Sequence, residues 1–297
     1  GLPGRFAQLL WGSPLVVGVG KGRRGVGRSR VAEQPAEYGV LQQNVQETRE
    51  ARDTPTWPAP GELPALRRRM AAATQLLAQG RHAPGLRQLR HVLGGLVRRE
   101  DWAHAARGAL ALAVSLSGRG RPREAQDALD EARRYADRAS DTGALIDIAV
   151  LKSQAWIDLA RLDEAESVAG AALAAARGVD DGPRAATASL ALGRCLFWRG
   201  RYAEAELALS AAARGPLSPE IVVQIRAARA RVSVGAGDLP RAVSLAREAT
   251  EAARQLADPA WSAMAAGVAA FVHLAVNDLD AVDQDVRQSL GAARQAR

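Results

Sequence analysis

The sequence predicts an all-α protein, an α-solenoid of about six helical hairpins, on three observations. A short phrase recurs six times: Gly80-Arg81-His82, Gly120-Arg121-Pro122, Ala160-Arg161-Leu162, Gly200-Arg201-Tyr202, Gly237-Asp238-Leu239 and Asn277-Asp278-Leu279. Its copies are separated by 40, 40, 40, 37 and 40 residues, a regularity that marks a repeat array. Apolar runs with helical periodicity flank each copy. Small residues also stand in aligned columns around the phrase: Ala73, Ala113, Ser153, Gly193, Ala230 and Ala270 seven places before it, and Gly85, Ala125, Ala165, Ala205, Ala242 and Val282 five places after it. A third column, Val92, Ala132, Ala172, Ala212, Ala249 and Ser289, follows twelve places after. Antiparallel helices that cross closely need small side chains where they touch, so the columns predict hairpins.

Each phrase is read as the turn of a hairpin. Gly200 supplies the left-handed residue that ends its first helix, and the other copies follow the same logic. Pro122, Asp163 and Pro240 stand where a second helix starts, and Glu204 lies in the first turn of its helix, where a carboxylate suits the helix dipole. First helices are expected at about 65–79, 102–118, 142–159, 184–198, 219–234 and 260–276. Their partners are expected at about 84–98, 122–139, 163–177, 203–213, 240–257 and 280–295. Gly215-Pro216 shortens the fourth partner and accounts for the 37-residue step.

Gly200-Arg-Tyr-Ala-Glu-Ala205 and the three small columns resemble the tetratricopeptide repeat (TPR). The resemblance covers residues 63–297 and implies a right-handed solenoid of TPR-like hairpins with a concave face lined by the first helices. A standard unit is about 34 residues, so a 40-residue step implies longer helices or longer inter-hairpin loops.

Composition sets the boundaries of function. With 47% apolar and 24% charged residues the chain belongs with soluble globular proteins, and a cytoplasmic location is expected. No run is apolar enough for a membrane span, and residues 6–19 are broken by Gly12, Ser13 and Pro14, unlike a signal peptide. Only Lys21 and Lys152 are Lys, a bias toward Arg that fits a high-GC bacterial genome. The single Cys195 excludes a disulfide framework and reads as a small buried hydrophobe.

The basicity is local. Residues 1–30 hold Arg5, Lys21, Arg23, Arg24, Arg28 and Arg30 with no acid, a charge of +6 out of a total of +8. Residues 1–39 are therefore taken as a basic Gly/Arg-rich segment, 40–62 as a polar, Pro-rich linker, and 63–297 as the repeat domain. Gly22-Arg-Arg-Gly-Val-Gly-Arg-Ser29 approaches the phosphate-binding pattern G-x-x-x-x-G-K-[ST]. However, Arg28 replaces the Lys, and Pro35 interrupts the helix that should follow. The plainer reading is a hairpin or loop between short strands at Leu15–Val19 and Ser29–Ala32. Lys21, Arg23, Arg24, Arg28 and Arg30 remain candidate contacts to phosphate or nucleic acid, DNA included.

Gly1-Leu-Pro-Gly-Arg5, with the residues to Leu10, resembles a segment near the end of the helical or winged module that closes bacterial AAA and STAND-type ATPase domains. The resemblance implies the TPR-like region of a bacterial ATP-dependent signal transducer or transcription regulator, of the MalT-like LuxR type or the enhancer-binding type. Any ATPase would then lie upstream of Gly1, in keeping with the absence of a Met start.

Catalysis is not expected within this chain, nor is a cofactor or metal. His82, His91, His104 and His273 stand apart without metal-ligand spacing, and no nucleophile motif is present. His82 and His104 are expected to face solvent and His273 to lie at the edge of the core. Trp102, Trp156 and Trp261 read as packing residues. The groove positions of the family fall here on Arg107, Asp147, Gln154, Asp158, Arg194, Trp198 and Arg231. They form a polar face suited to a peptide or protein partner or a small effector, with Arg for carboxylate or phosphate and Trp198 as an apolar anchor. The alternative is a solvated helix face with ion pairs between repeats, Trp198 filling the hairpin core. The Lys and Asn clamp of the chaperone-binding repeats is missing, since its Asn positions hold Thr74, Val114, Gln154, Arg194, Arg231 and Phe271. An uncapped last hairpin leaves room for a homo-oligomer or another domain.

Overall fold

A computed structural model describes residues 63–214 and 217–295. They form twelve α-helices: α1 (Leu63–Ala78), α2 (His82–Arg98), α3 (Trp102–Gly118), α4 (Pro122–Ala139), α5 (Thr142–Asp158), α6 (Leu162–Gly178), α7 (Gly182–Trp198), α8 (Tyr202–Ala212), α9 (Pro219–Gly235), α10 (Leu239–Gln255), α11 (Pro259–Ala275) and α12 (Leu279–Gln295). No strand occurs among the described residues. The basic segment with its expected hairpin, and the linker to residue 62, lie outside them.

The helices pair in order as six hairpins, each within one or two residues of its expected bounds. The 40-residue period has a simple origin. Most helices have 17 residues and most turns three, so the excess over a 34-residue unit lies in longer helices.

The left-handed residue expected in each hairpin turn is there: Gly80, Gly120, Ala160, Gly200, Gly237 and Asn277 have φ between 60° and 79°. A second left-handed set, Glu100, Ser140, Asp180 and Ala257, ends the helices between hairpins without any glycine. Except at Ala257, both sets close with the same bond, in which the next backbone N–H reaches five residues back. Arg201 N donates to Leu196 O at 2.9 Å, and Asp181 N to Ala176 O at 2.9 Å. This bond satisfies a carbonyl that a helix end would otherwise leave open.

Between hairpins, Asp or, before α9, Ser218 starts the following helix: the Asp141 carboxylate accepts from Ala144 N at 2.9 Å and that of Asp181 from Arg184 N at 3.0 Å. Asp101 instead accepts from Arg67 Nε at 2.8 Å and meets His104 at 2.9 Å. Burial raises its affinity for a proton, but these two partners outweigh burial and hold its carboxyl below the usual range.

The small columns are the crossing points. Ala73, Ala113, Ser153, Gly193, Ala230 and Ala270 are all buried, as are Gly85, Ala125, Ala165, Ala205 and Ala242. The two columns face one another across the hairpin. The Ser153 hydroxyl donates to the carbonyl of Ala165 at 2.9 Å. A Cβ on Gly193 would lie 3.4 Å from the carbonyl of Ala205 and 2.6 Å from Leu209. Only the last hairpin departs, since Val282 and Ser289 of α12 are half-buried.

Successive first helices also pack on one another, α1 through α11, whereas the second helices make no comparable contact. The odd-numbered helices therefore form the inner layer. Cys195 fits the expectation of a buried hydrophobe: it is fully buried, its Sγ lies 3.3 Å from the carbonyl of Leu162, and burial pushes its thiol up to about 11.

Candidate functional site

The polar residues of the inner layer follow the repeat register. Gln154, Arg194 and Arg231 each stand six residues before a left-handed turn residue, Asp158 and Trp198 two before, and Arg107, Asp147 and Gln224 thirteen before. Offsets of four and seven place them on one helix face, here the inner face of α3, α5, α7 and α9.

The structure brings four of the seven expected residues together, with Gln224 as a fifth. Arg194 is the centre. Its two terminal nitrogens donate to Gln154 on α5 at 3.3 Å and to Gln224 on α9 at 3.0 Å. Gln154 in turn donates to the Asp158 carboxylate at 3.3 Å. Arg231 lies close enough to Arg194 to feel its charge. Both arginines are buried, with exposures of 9% and 2%.

The electrostatics follow from burial. Burial pushes Asp158 up to about 6, against the opposing pull of the Gln154 hydrogen bond and the Arg194 charge. Burial also pulls Arg194 down to about 10, with Asp158 countering. Arg231 is lowered by burial first and then by the neighbouring Arg194. Two cationic forks, two amides and one carboxylate are thus held in one low-dielectric patch, where electrostatic contacts are stronger than in water.

The other expected residues lie elsewhere. Arg107 is exposed on α3. Asp147 accepts two hydrogen bonds from Arg184, at 2.9 and 3.0 Å, and Arg184 also reaches Asp181 at 2.7 Å. Trp198 is half-buried and packs in a cluster with Ile157, Ala165 and Cys195, its ring meeting Phe197 edge to face at 5.4 Å. Its indole nitrogen is buried without a hydrogen-bond partner among the described residues. Lys21, Arg23, Arg24, Arg28 and Arg30 lie outside the described residues.

Sequence reasoning did not select Gln224, although it shares the register of Arg107 and Asp147. Two histidines also differ from expectation. His82 is half-buried 3.4 Å from the Ser115 hydroxyl, and burial lowers its affinity for a proton. His104 is half-buried against Asp101. His273 sits at the core edge as expected and meets Asp285 at 2.7 Å. Trp261 is buried in a core cluster, while Trp102 stacks on Tyr135 beneath Arg138. Among the described residues no group of His, Cys, Asp and Glu has the arrangement of a metal site, and no helix is long and apolar enough to cross a membrane.

No protein-family model matches the chain, and no curated protein does. Solved structures do. A Rap protein complexed with competence and sporulation factor matches with a TM-score of 0.60 at 16% identity, over 76% of this chain and 66% of that one. BtubC (BKLC) from P. vanneervenii matches with a TM-score of 0.52 at 19% identity, over 78% of this chain and 92% of that one. The chain thus spans just under two thirds of the Rap protein. At such identities the likeness shows the fold, a helical-repeat solenoid.

Proposed function

We propose that the chain is a binding scaffold whose inner face receives an acidic peptide or protein segment, or a small acidic effector, at the patch formed by α5, α7 and α9. The observation that carries this reading is the placement of Arg194 and Arg231 at one register on adjacent inner helices, with Gln154 and Gln224 flanking Arg194. Guanidinium forks match carboxylates in geometry, and burial strengthens such contacts. The complex of the Rap protein with its factor supports partner binding by a solenoid of this kind. A displayed library of random peptides, panned on the full chain, tests the reading. Recovered sequences should be enriched in Asp, Glu or a free carboxyl terminus and should lose most of their affinity to Arg194→Gln, with helicity checked by circular dichroism. Recovery of neutral or basic peptides, or binding that ignores the substitution, overturns it.

The wider setting we propose is a cytoplasmic bacterial ATP-dependent regulator in which this scaffold senses a partner and controls an ATPase. The resemblance of Gly1-Leu-Pro-Gly-Arg5 to the end of ATPase modules supports it. Reading the native polypeptide upstream of Gly1 tests it: a phosphate-binding loop followed by a magnesium-binding Asp is expected, and their absence refutes it. The +6 charge of residues 1–30 favours a second activity, sequence-independent nucleic-acid binding by Lys21, Arg23, Arg24, Arg28 and Arg30. Affinity for duplex DNA should then fall steeply with salt, and a flat salt response refutes it.

A further inference from the structure

The second helix of each earlier hairpin buries an apolar face. Nine residues after the left-handed turn residue, Leu89, Leu129 and Leu209 are exposed by 2% or less. At the same register on α12 stands Val286, 42% exposed. Thirteen residues after the turn, Leu93 and Leu173 are buried, whereas Leu290 of α12 is 54% exposed. With Leu279, also exposed, these residues form a stripe along one side of α12, and half-buried Val282 and Ala293 complete it. Apolar side chains repeating at three- to four-residue intervals along one helix are the pattern of a helix seam. No residue of α12 is buried, and Leu279, Val286 and Leu290 stand exposed among the described residues.

The charges of α12 say what fits. Its first half carries Asp280, Asp283 and Asp285 and no base; its second half carries Arg287 and Arg294 and no acid. The only ion pair joining the halves, Arg287 with Asp283, is solvent-exposed and contributes little. A helix acidic at one end and basic at the other is complementary to itself when reversed. We propose that α12 is a homodimer seam, in which a second copy of the chain pairs with it antiparallel about a twofold axis at Val286. That register sets Val286 against its own copy, Val282 against Leu290 and Leu279 against Ala293. It also places Asp280 beside Arg294, and Asp283 beside Arg287, of the other copy. The interface is isologous, the commonest kind in soluble homo-oligomers. One pair of helices about 25 Å long buries less than a standard interface, so the dimer is concentration-dependent.

Sedimentation equilibrium of the full chain at tens of micromolar should give a mass approaching twice 31.3 kDa. Val286→Arg should weaken association by about a hundredfold or more, by setting two cations on the axis, with circular dichroism unchanged because the residue is exposed. Val286→Cys should form a disulfide-linked dimer on mild oxidation, and Leu279→Cys should not. Cys195, fully buried, will not interfere. A monomer at these concentrations overturns the proposal, and so does a dimer indifferent to Val286→Arg. Mass that grows without limit with concentration marks head-to-tail stacking and also overturns it, as does a dimer in which Val286→Cys fails to cross-link.

Discussion

Replacing Gly193 by Ala and Gly170 by Ala makes the same chemical change in two neighbouring helices, and the structure predicts opposite outcomes. Gly170, in α6, has open space where a Cβ would be built. There Ala recovers the conformational entropy that Gly wastes inside a helix, and stability should rise by about 0.5–1 kcal/mol. At Gly193 the new methyl would lie 2.6 Å from Leu209 Cγ and 2.7 Å from Cδ2. Leu209 cannot swing aside into solvent, because it is fully buried. The carbonyl of Ala205 stands 3.4 Å from the same methyl, an ordinary contact, so the strain falls on Leu209. Overpacking of this kind costs about 1–3 kcal/mol, against which helix propensity returns about 1 kcal/mol. Gly193→Ala should therefore be neutral to about 2 kcal/mol destabilising, and should lie below Gly170→Ala by at least about 1 kcal/mol. For a repeat domain of this size each kcal/mol moves the midpoint by about 2–4 °C. Thermal and urea melts followed by helical circular dichroism read the difference, with a common urea slope as the check that one transition is compared. Equal stabilisation by the two substitutions would refute the reading of the small columns as steric crossing points.

Asp158 should make the protein lose stability as pH rises. Its carboxyl is near 3.8 when unfolded and pushed up to about 6 by burial when folded, so the folded state holds the extra proton between these values and stability falls as pH climbs from about 4 to about 6. Urea melts of wild type and Asp158→Asn across that window should diverge, and parallel curves would mean that the carboxyl is not buried in its charged form. Ser153→Ala deletes the buried hydroxyl that donates to the Ala165 carbonyl while keeping a small side chain at the crossing, and should cost about 1 kcal/mol in the same melts. No loss would show that the column is selected for size alone.

The fold was legible because its hardest local requirement is written in a restricted alphabet. A left-handed residue between two helices favours Gly and Asn, and five of the six hairpin turns carry one of them. The turns between hairpins were harder to read, because Glu100, Ser140, Asp180 and Ala257 adopt the same conformation with ordinary side chains. The closing bond to the preceding helix accompanies Glu100, Ser140 and Asp180, and such bonds leave no trace in residue type. At the candidate site, the positions of Gln154, Arg194 and Arg231 follow the repeat register, and Gln224 was accessible to the same arithmetic. What no register conveys is how far a long side chain travels. Arg194 spans from α5 to α9, whereas Asp147 turns to Arg184 on the next inner helix.

The residue just before each helix separates two kinds of turn. Between hairpins it is Asp or Ser, and its side chain accepts a backbone N–H at four of the five starts, while Asp101 instead serves Arg67 and His104. Inside the first four hairpins it is Arg81, Arg121, Arg161 and Arg201, none of which makes a capping bond. A cation there opposes the helix dipole, and three of the four offset it through a Glu three residues on: Arg121 with Glu124, Arg161 with Glu164 at 2.9 Å, and Arg201 with Glu204 at 2.6 Å. Folding does not require Arg at this position, since Asp238 and Asp278 occupy it in the last two hairpins and cap their helices. Arg121→Ser should therefore stabilise. The hydroxyl would accept from the Glu124 backbone N–H, while the backbone N–H of residue 121 keeps its bond to Leu116 O at 3.0 Å. The cap contributes about 1 kcal/mol, while the lost ion pair, more than 40% exposed at both side chains, contributed at most about 0.5 kcal/mol. A net gain of about 0.5–1 kcal/mol in urea melts is expected. A loss instead would mean that the arginine column stabilises the array through contacts other than its own helix start, of the kind Arg201 makes to Glu166 of the preceding hairpin at 2.7 Å.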